Sequence, residues 1–77
     1  MAKSDAVAGF LVGFAAACEL RGYPSWVDRA ALGEHVATAE RMLDGTGPVA
    51  GESWAMTQFA EALREAILAR NSAVPQE

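Results

Sequence analysis

Apolar residues recur every three or four positions along three long segments of the chain, the spacing that is typical of amphipathic helices. Alanine is abundant in these segments and β-branched residues are few, which also favours helix. The predicted helices span residues 5–21, 26–44 and 53–70, and residues 71–77 are predicted to form a flexible tail. A chain of 77 residues makes one domain. We therefore predict a single all-α domain.

Two turn-forming clusters, "RGYPS" (21–25) and "DGTGPVAG" (44–51), separate the three segments. Gly22 and Gly45 each follow a helix-like run, where a glycine in the left-handed conformation commonly ends a helix. The predicted N-terminal caps are Ser4 for the first helix and Ser25 together with Asp28 for the second. For the third helix the cap is either Ser53 or, ahead of Pro48, Thr46 or Gly47.

The first helix contains the run "AVAGFLVGFAAAC" (6–18), which carries no charged side chain. On a helical wheel its bulky side chains form one arc, the expected core face: Val7, Phe10, Leu11, Phe14 and Cys18. The opposite side carries Ala6, Gly9, Gly13, Ala16, Ala17 and Leu20. Small residues at this spacing let two helices approach closely. They also tolerate water, so this side is either a packing surface or simply exposed.

The other two predicted helices each have one apolar face. In the second helix this face consists of Ala31, Leu32, Val36, Ala39, Met42 and Leu43, and in the third of Met56, Phe59, Ala60, Leu63, Ala66 and Ile67. Trp26, Trp54 and Leu68 lie off these faces. The two tryptophans are either lids over the ends of the bundle or anchors of an interface.

A domain this small has little core, and its stability commonly depends on disulfides, a metal or association. The chain has one cysteine, Cys18, and one histidine, His35, so neither a disulfide nor a typical zinc site is expected. We expect no cofactor. The fold is then a three-helix bundle, or a helical hairpin plus a third helix, completed by self-association. The candidate interface residues are Gly9, Gly13, Ala16, Ala17, Leu20, Trp26, Trp54 and Leu68.

Charge and chemistry argue against several classes of function. The net charge is −4 and the six basic residues are scattered, which disfavours nucleic-acid binding. No phosphate-binding loop is present, and a buried Cys18 beside His35 is a poor nucleophile–base pair, so we expect no enzyme. His35 lies within an apolar arc, where it is either a pH-sensitive group or a structural residue hydrogen-bonded to the backbone or to a carboxylate.

The apolar run admits two membrane interpretations. It is too short to span a bilayer, and the segment "AAAC" departs from a lipoprotein cleavage box because Ala15 stands where leucine is usual. Membrane association is nevertheless kept as an alternative function. A small-ligand binder at a subunit interface is another. A lone cysteine fits a reducing compartment. We expect a cytoplasmic or virion-associated protein.

The segment "GFAAACELRGYPSW" (13–26) resembles a pattern in small helical proteins of tailed bacteriophages, in which Gly-Phe opens a helical turn, a cysteine follows and a glycine ends the helix. Pro24 departs from that pattern. The resemblance covers this segment alone and carries over no catalytic residues. It implies a structural or accessory subunit of a phage or bacterial assembly, whose partner is either a second copy of this chain or a larger complex.

Overall fold

The computed structural model describes residues 3–47, 49 and 51–73, and within them the chain forms three α-helices and no strand. Helix α1 spans Lys3–Arg21, α2 spans Arg29–Leu43 and α3 spans Glu52–Ala73. The predicted all-α class is confirmed. Each helix packs on the other two, and α1 packs most extensively against α2. The resulting bundle measures 47 × 22 × 19 Å.

Two glycines end helices as the sequence predicts. Gly22 has φ +100° and donates its N–H to the Cys18 carbonyl at 2.7 Å, which closes the last turn of α1. Gly45 has φ +88° and donates to the Met42 carbonyl, while the Thr46 N–H bonds to the Arg41 carbonyl. This second pair of bonds is a Schellman motif.

The predicted start of the second helix is wrong. The helix begins at Arg29 because the chain first makes a turn after Pro24, in which the Val27 N–H donates to the Pro24 carbonyl at 3.1 Å. Asp28 is itself the N-cap, and its carboxylate accepts the Ala31 N–H at 3.1 Å. Ser25 lies in the turn, so it does not form the predicted capping box.

Helices α1 and α3 are longer than predicted, and their predicted serine caps, Ser4 and Ser53, lie inside them. Gly51, with φ +91°, directly precedes α3, and Thr46 is bonded to the end of α2. Residues 71–73 continue α3 because no glycine or proline interrupts them. Pro48 and residues 74–77 of the predicted tail lie outside the described residues.

The core is formed by buried residues from all three helices: Ala8, Leu11, Leu32, Ala39, Met56, Ala60 and Leu63. The predicted faces of α2 and α3 supply most of them. In α1 the buried face is rotated from the bulky arc toward Ala8, because a small side chain fits where this helix meets its neighbours. Phe10 and Phe14 are only partly buried. Leu43, predicted on the core face of α2, is half exposed.

Candidate protein-interaction surface

The outward side of α1 is open in the single chain. It is formed by Gly9, Gly13, Ala16, Ala17 and Leu20, which are all exposed and which we call the small-residue face. A Cβ atom placed on Gly9 or Gly13 would meet no heavy atom within 4 Å. Leu20 is 86% exposed. The intramolecular packing of the bundle therefore makes no use of this face.

The small-residue face carries no charge along its length. No charged residue lies between Asp5 and Glu19, and the face itself presents only methyl groups, a leucine side chain and helical backbone. The backbone groups of a helix are already hydrogen-bonded within it. Covering this face would consequently desolvate few unsatisfied polar groups, which is the main cost of burying a surface.

A groove with a volume of about 370 Å³ lies between α1 and α2, beside the small-residue face. Its lining is apolar at the floor and charged at the rim: Val12, Ala15, Ala16, Glu19, Tyr23, Arg29, Leu32, Gly33, Val36 and Glu40. Ala16 belongs both to this lining and to the small-residue face. The two features form one continuous surface, which we call the α1–α2 face.

The ring and hydroxyl of Tyr23 contact two charged side chains at one end of the groove. The Tyr23 hydroxyl donates to the Glu19 carboxylate at 2.5 Å, and the Arg29 guanidinium lies 4.1 Å from the centre of the Tyr23 ring. The hydrogen bond to Glu19 is the main reason that the pKa of Tyr23 is raised. The contact with the ring positions the Arg29 side chain at this end of the groove.

The two tryptophans have different surroundings in the structure. Trp26 is partly buried against the core, and the Arg70 guanidinium lies 4.7 Å from the centre of its ring. Trp26 thus connects the α1–α2 turn with the end of α3, as a lid would. Trp54, by contrast, is 68% exposed in the first turn of α3, and Leu68 is about half exposed near the other end.

Cys18 and His35 serve the fold in different places. Cys18 is buried, with 5% exposure, near the end of α1. The His35 ring is stacked on Phe59 with 4.6 Å between ring centres, and this contact links α2 to α3. Among the described residues His35 has this stacking contact in place of the expected hydrogen bond, and no hydrogen bond joins it to Cys18.

A second cavity, of about 370 Å³, lies where α2 meets α3. The Arg41 guanidinium donates to the Glu52 carboxylate at 2.7 Å here, and that carboxylate also accepts the Val49 N–H. Buried Thr38 accepts from Arg41 and donates to the Glu34 carbonyl. Sequence reasoning missed this network, because Arg41 and Glu52 lie on different helices and no spacing rule joins them.

Within residues 3–47, 49 and 51–73, no group of three or more histidine, cysteine, aspartate or glutamate side chains is arranged to hold a metal ion. In the same part of the chain, no helix has the length and apolar character needed to cross a bilayer. No protein-family model, curated protein or solved structure matches the chain.

Proposed function

We propose that this protein is a non-enzymatic interaction subunit that associates with a second copy of itself through the α1–α2 face. The observation that carries the proposal is the small-residue face: exposed, uncharged from end to end, and with open space at Gly9 and Gly13. Interior glycines cost a helix about 1 kcal/mol each relative to alanine. Close contact between helices is a physical reason for two such residues one turn apart.

The small size of the chain supports the same proposal. A core of this extent rarely supplies more than roughly 3–5 kcal/mol of stability, and association is one of the few ways to add to it. Leu20 lies on the same face and is almost wholly exposed. Burial of a leucine side chain contributes about 1.5–3 kcal/mol.

The resemblance of residues 13–26 to small phage proteins guides the choice of assembly. On that basis we propose a structural or accessory subunit of a phage or bacterial complex. Detection of the chain by peptide mass spectrometry in purified particles, at a fixed ratio to a known particle protein, would support this assignment. Its loss on washing in moderate salt would contradict it.

Self-association is tested by native mass spectrometry and light scattering at micromolar concentration, with Gly13→Leu as the diagnostic variant. The Cβ of a leucine at this position meets open space in the single chain, and leucine is a better helix former than glycine, which costs about 0.8–1 kcal/mol relative to alanine. The variant should therefore keep the fold and lose association. Ala62→Leu, which adds a similar side chain to an exposed position of α3, is the matched control. A wild-type chain that is a folded monomer would overturn the proposal.

A further inference from the structure

The geometry points to a defined register for the proposed self-association. We infer that a second copy docks on the α1–α2 face with the two α2 helices antiparallel, so that Arg29 of each copy pairs with Glu40 of the other. This inference rests on the proposed function and adds to it the residues that select the partner.

Besides the buried Leu32, four further residues of α2 line the groove: Arg29, Gly33, Val36 and Glu40. Their spacings of four, three and four residues place them on one face of the helix. The order of side chains along this stripe is complementary to the same order in an antiparallel second copy. About a two-fold axis midway between Gly33 and Val36, the basic end faces the acidic end, and the residue without a side chain faces the branched one.

The centre of the stripe has the shape for such a contact. Gly33 is exposed, and a Cβ on it would meet no heavy atom within 4 Å, so this position leaves open space for a side chain of a second copy. Val36, one turn away, is partly buried and lines the same groove. Insertion of each Val36 at the Gly33 of the other copy is the knob-into-hole contact by which helices pack closely.

The charged ends of the stripe have no ionic partner of their own. In the described part of the chain the Arg29 guanidinium lies over the Tyr23 ring and forms no ion pair, and the Glu40 carboxylate forms neither an ion pair nor a hydrogen bond. Stacking leaves the N–H edges of the guanidinium available to a carboxylate. A parallel arrangement would instead bring Arg29 beside Arg29 and Glu40 beside Glu40, and like charges across an interface are strongly unfavourable.

One face of the bundle is large enough for a stable dimer interface. Specific interfaces cover about 800 Å² on each partner. That is about 15% of the 5216 Å² surface of this chain, an amount that one broad face of a 47 × 22 × 19 Å bundle can provide.

Charge reversal tests the register, with the dissociation constant measured by analytical ultracentrifugation. Arg29→Glu and Glu40→Arg should each weaken self-association by about tenfold or more, because each places like charges together twice. The double variant R29E/E40R restores both pairs and should return to near the wild-type constant. Both changes suit the dipole of α2, since they place an acid in its first turn and a base in its last, so they should not unfold it. Circular dichroism checks this.

Mixing the two single variants tests the register more directly. The R29E chain and the E40R chain should each be largely monomeric, yet together they should form a heterodimer, because every facing pair is then of opposite sign. Glu65→Arg, on the exposed side of α3, is the control and should leave association unchanged. Single reversals without effect on a wild-type dimer, or loss that neither the double variant nor mixing repairs, would overturn the register alone. A monomeric wild type would overturn the proposed function with it.

Discussion

The carboxylate of Glu52 holds the loop before α3 to the end of α2. It accepts a hydrogen bond from the Arg41 guanidinium at 2.7 Å and one from the Val49 N–H at 3.0 Å. The bond from Arg41, and then the one from Val49, lower the pKa of Glu52 below its usual 4.5. Asp44 behaves alike: the Thr46 backbone N–H and then the Thr46 hydroxyl lower its pKa below 3.8.

These shifts set the direction of the acid dependence of stability. A carboxyl whose pKa is lower in the folded chain takes up its proton first in the unfolded chain. Its stabilising contribution is complete above the unfolded pKa and is lost as the pH falls through the folded one. For Glu52 the loss begins near 4.5 and continues below it.

We therefore expect Glu52→Gln to flatten the fall in melting temperature between about pH 5 and about pH 3. At neutral pH the variant should melt slightly lower than the wild type, because the ion pair is partly exposed and such pairs contribute little. Thermal melts followed by circular dichroism measure both effects. Glu65→Gln removes an exposed carboxylate of α3 and controls for the change in net charge. Superimposable pH profiles for wild type and Glu52→Gln would show that the network has no such role.

At the scale of the elements, α3 is joined to the rest of the bundle near both ends. Glu52 connects its first turn to α2, and Arg70 lies over the Trp26 ring near its last turn. Trp26 also packs against the core, whereas Trp54 does not. The same residue type thus has two different roles in this chain.

A pair of truncations separates these roles. Trp26→Ala should lower the melting temperature of the chain, because it removes a contact that connects the α1–α2 turn to α3 and packs on the core. Trp54→Ala should leave the melting temperature of the monomeric Gly13→Leu background unchanged and weaken binding to whatever protein contacts it, since truncated anchor aromatics cost about 2 kcal/mol or more. Equal destabilisation by both variants would make Trp54 a second lid.

The elements also show what the sequence can and cannot predict. Helical periodicity predicts three helices and most of the core faces of α2 and α3, and the glycines at 22 and 45 predict two helix ends. Such signals act within a few residues of one another. The start of α2 escaped prediction because Ser25 and Asp28 both have capping chemistry, and the turn after Pro24 decides between them.

Contacts between elements were harder to predict for a physical reason. The stack of His35 on Phe59 and the ion pair of Arg41 with Glu52 join residues of different helices, and their existence depends on how those helices are rotated. In α1 the bulky side chains predict the core face, whereas the packing buries small Ala8 completely. Gly9, Gly13, Ala16, Ala17 and Leu20 are exposed in the single chain, as both of the alternatives left open require, and whether a second copy covers them stays a prediction.

At the scale of the whole molecule, a chain of this length has a large surface relative to its volume, and this limits the stability that folding alone can give it. A domain of about this size buries only about 60–65% of the surface that its unfolded chain exposes. Its core is built around three large, fully buried side chains, those of Leu11, Leu32 and Met56. Meanwhile the α1–α2 face is uncovered in the single chain, and its burial by the proposed second copy would couple folding to association.

That coupling predicts a melting temperature that depends on protein concentration. Raising the wild-type concentration a hundredfold from the micromolar range should raise the midpoint by several degrees, since each kcal/mol shifts a domain of this size by about 4–8 °C. Gly13→Leu should melt at one temperature at every concentration, and Ala62→Leu should behave like the wild type. Differential scanning calorimetry measures all three. A wild-type transition that is cooperative and independent of concentration would mean that the folded chain is stable alone, with its small-residue face either exposed to solvent or reserved for a different protein.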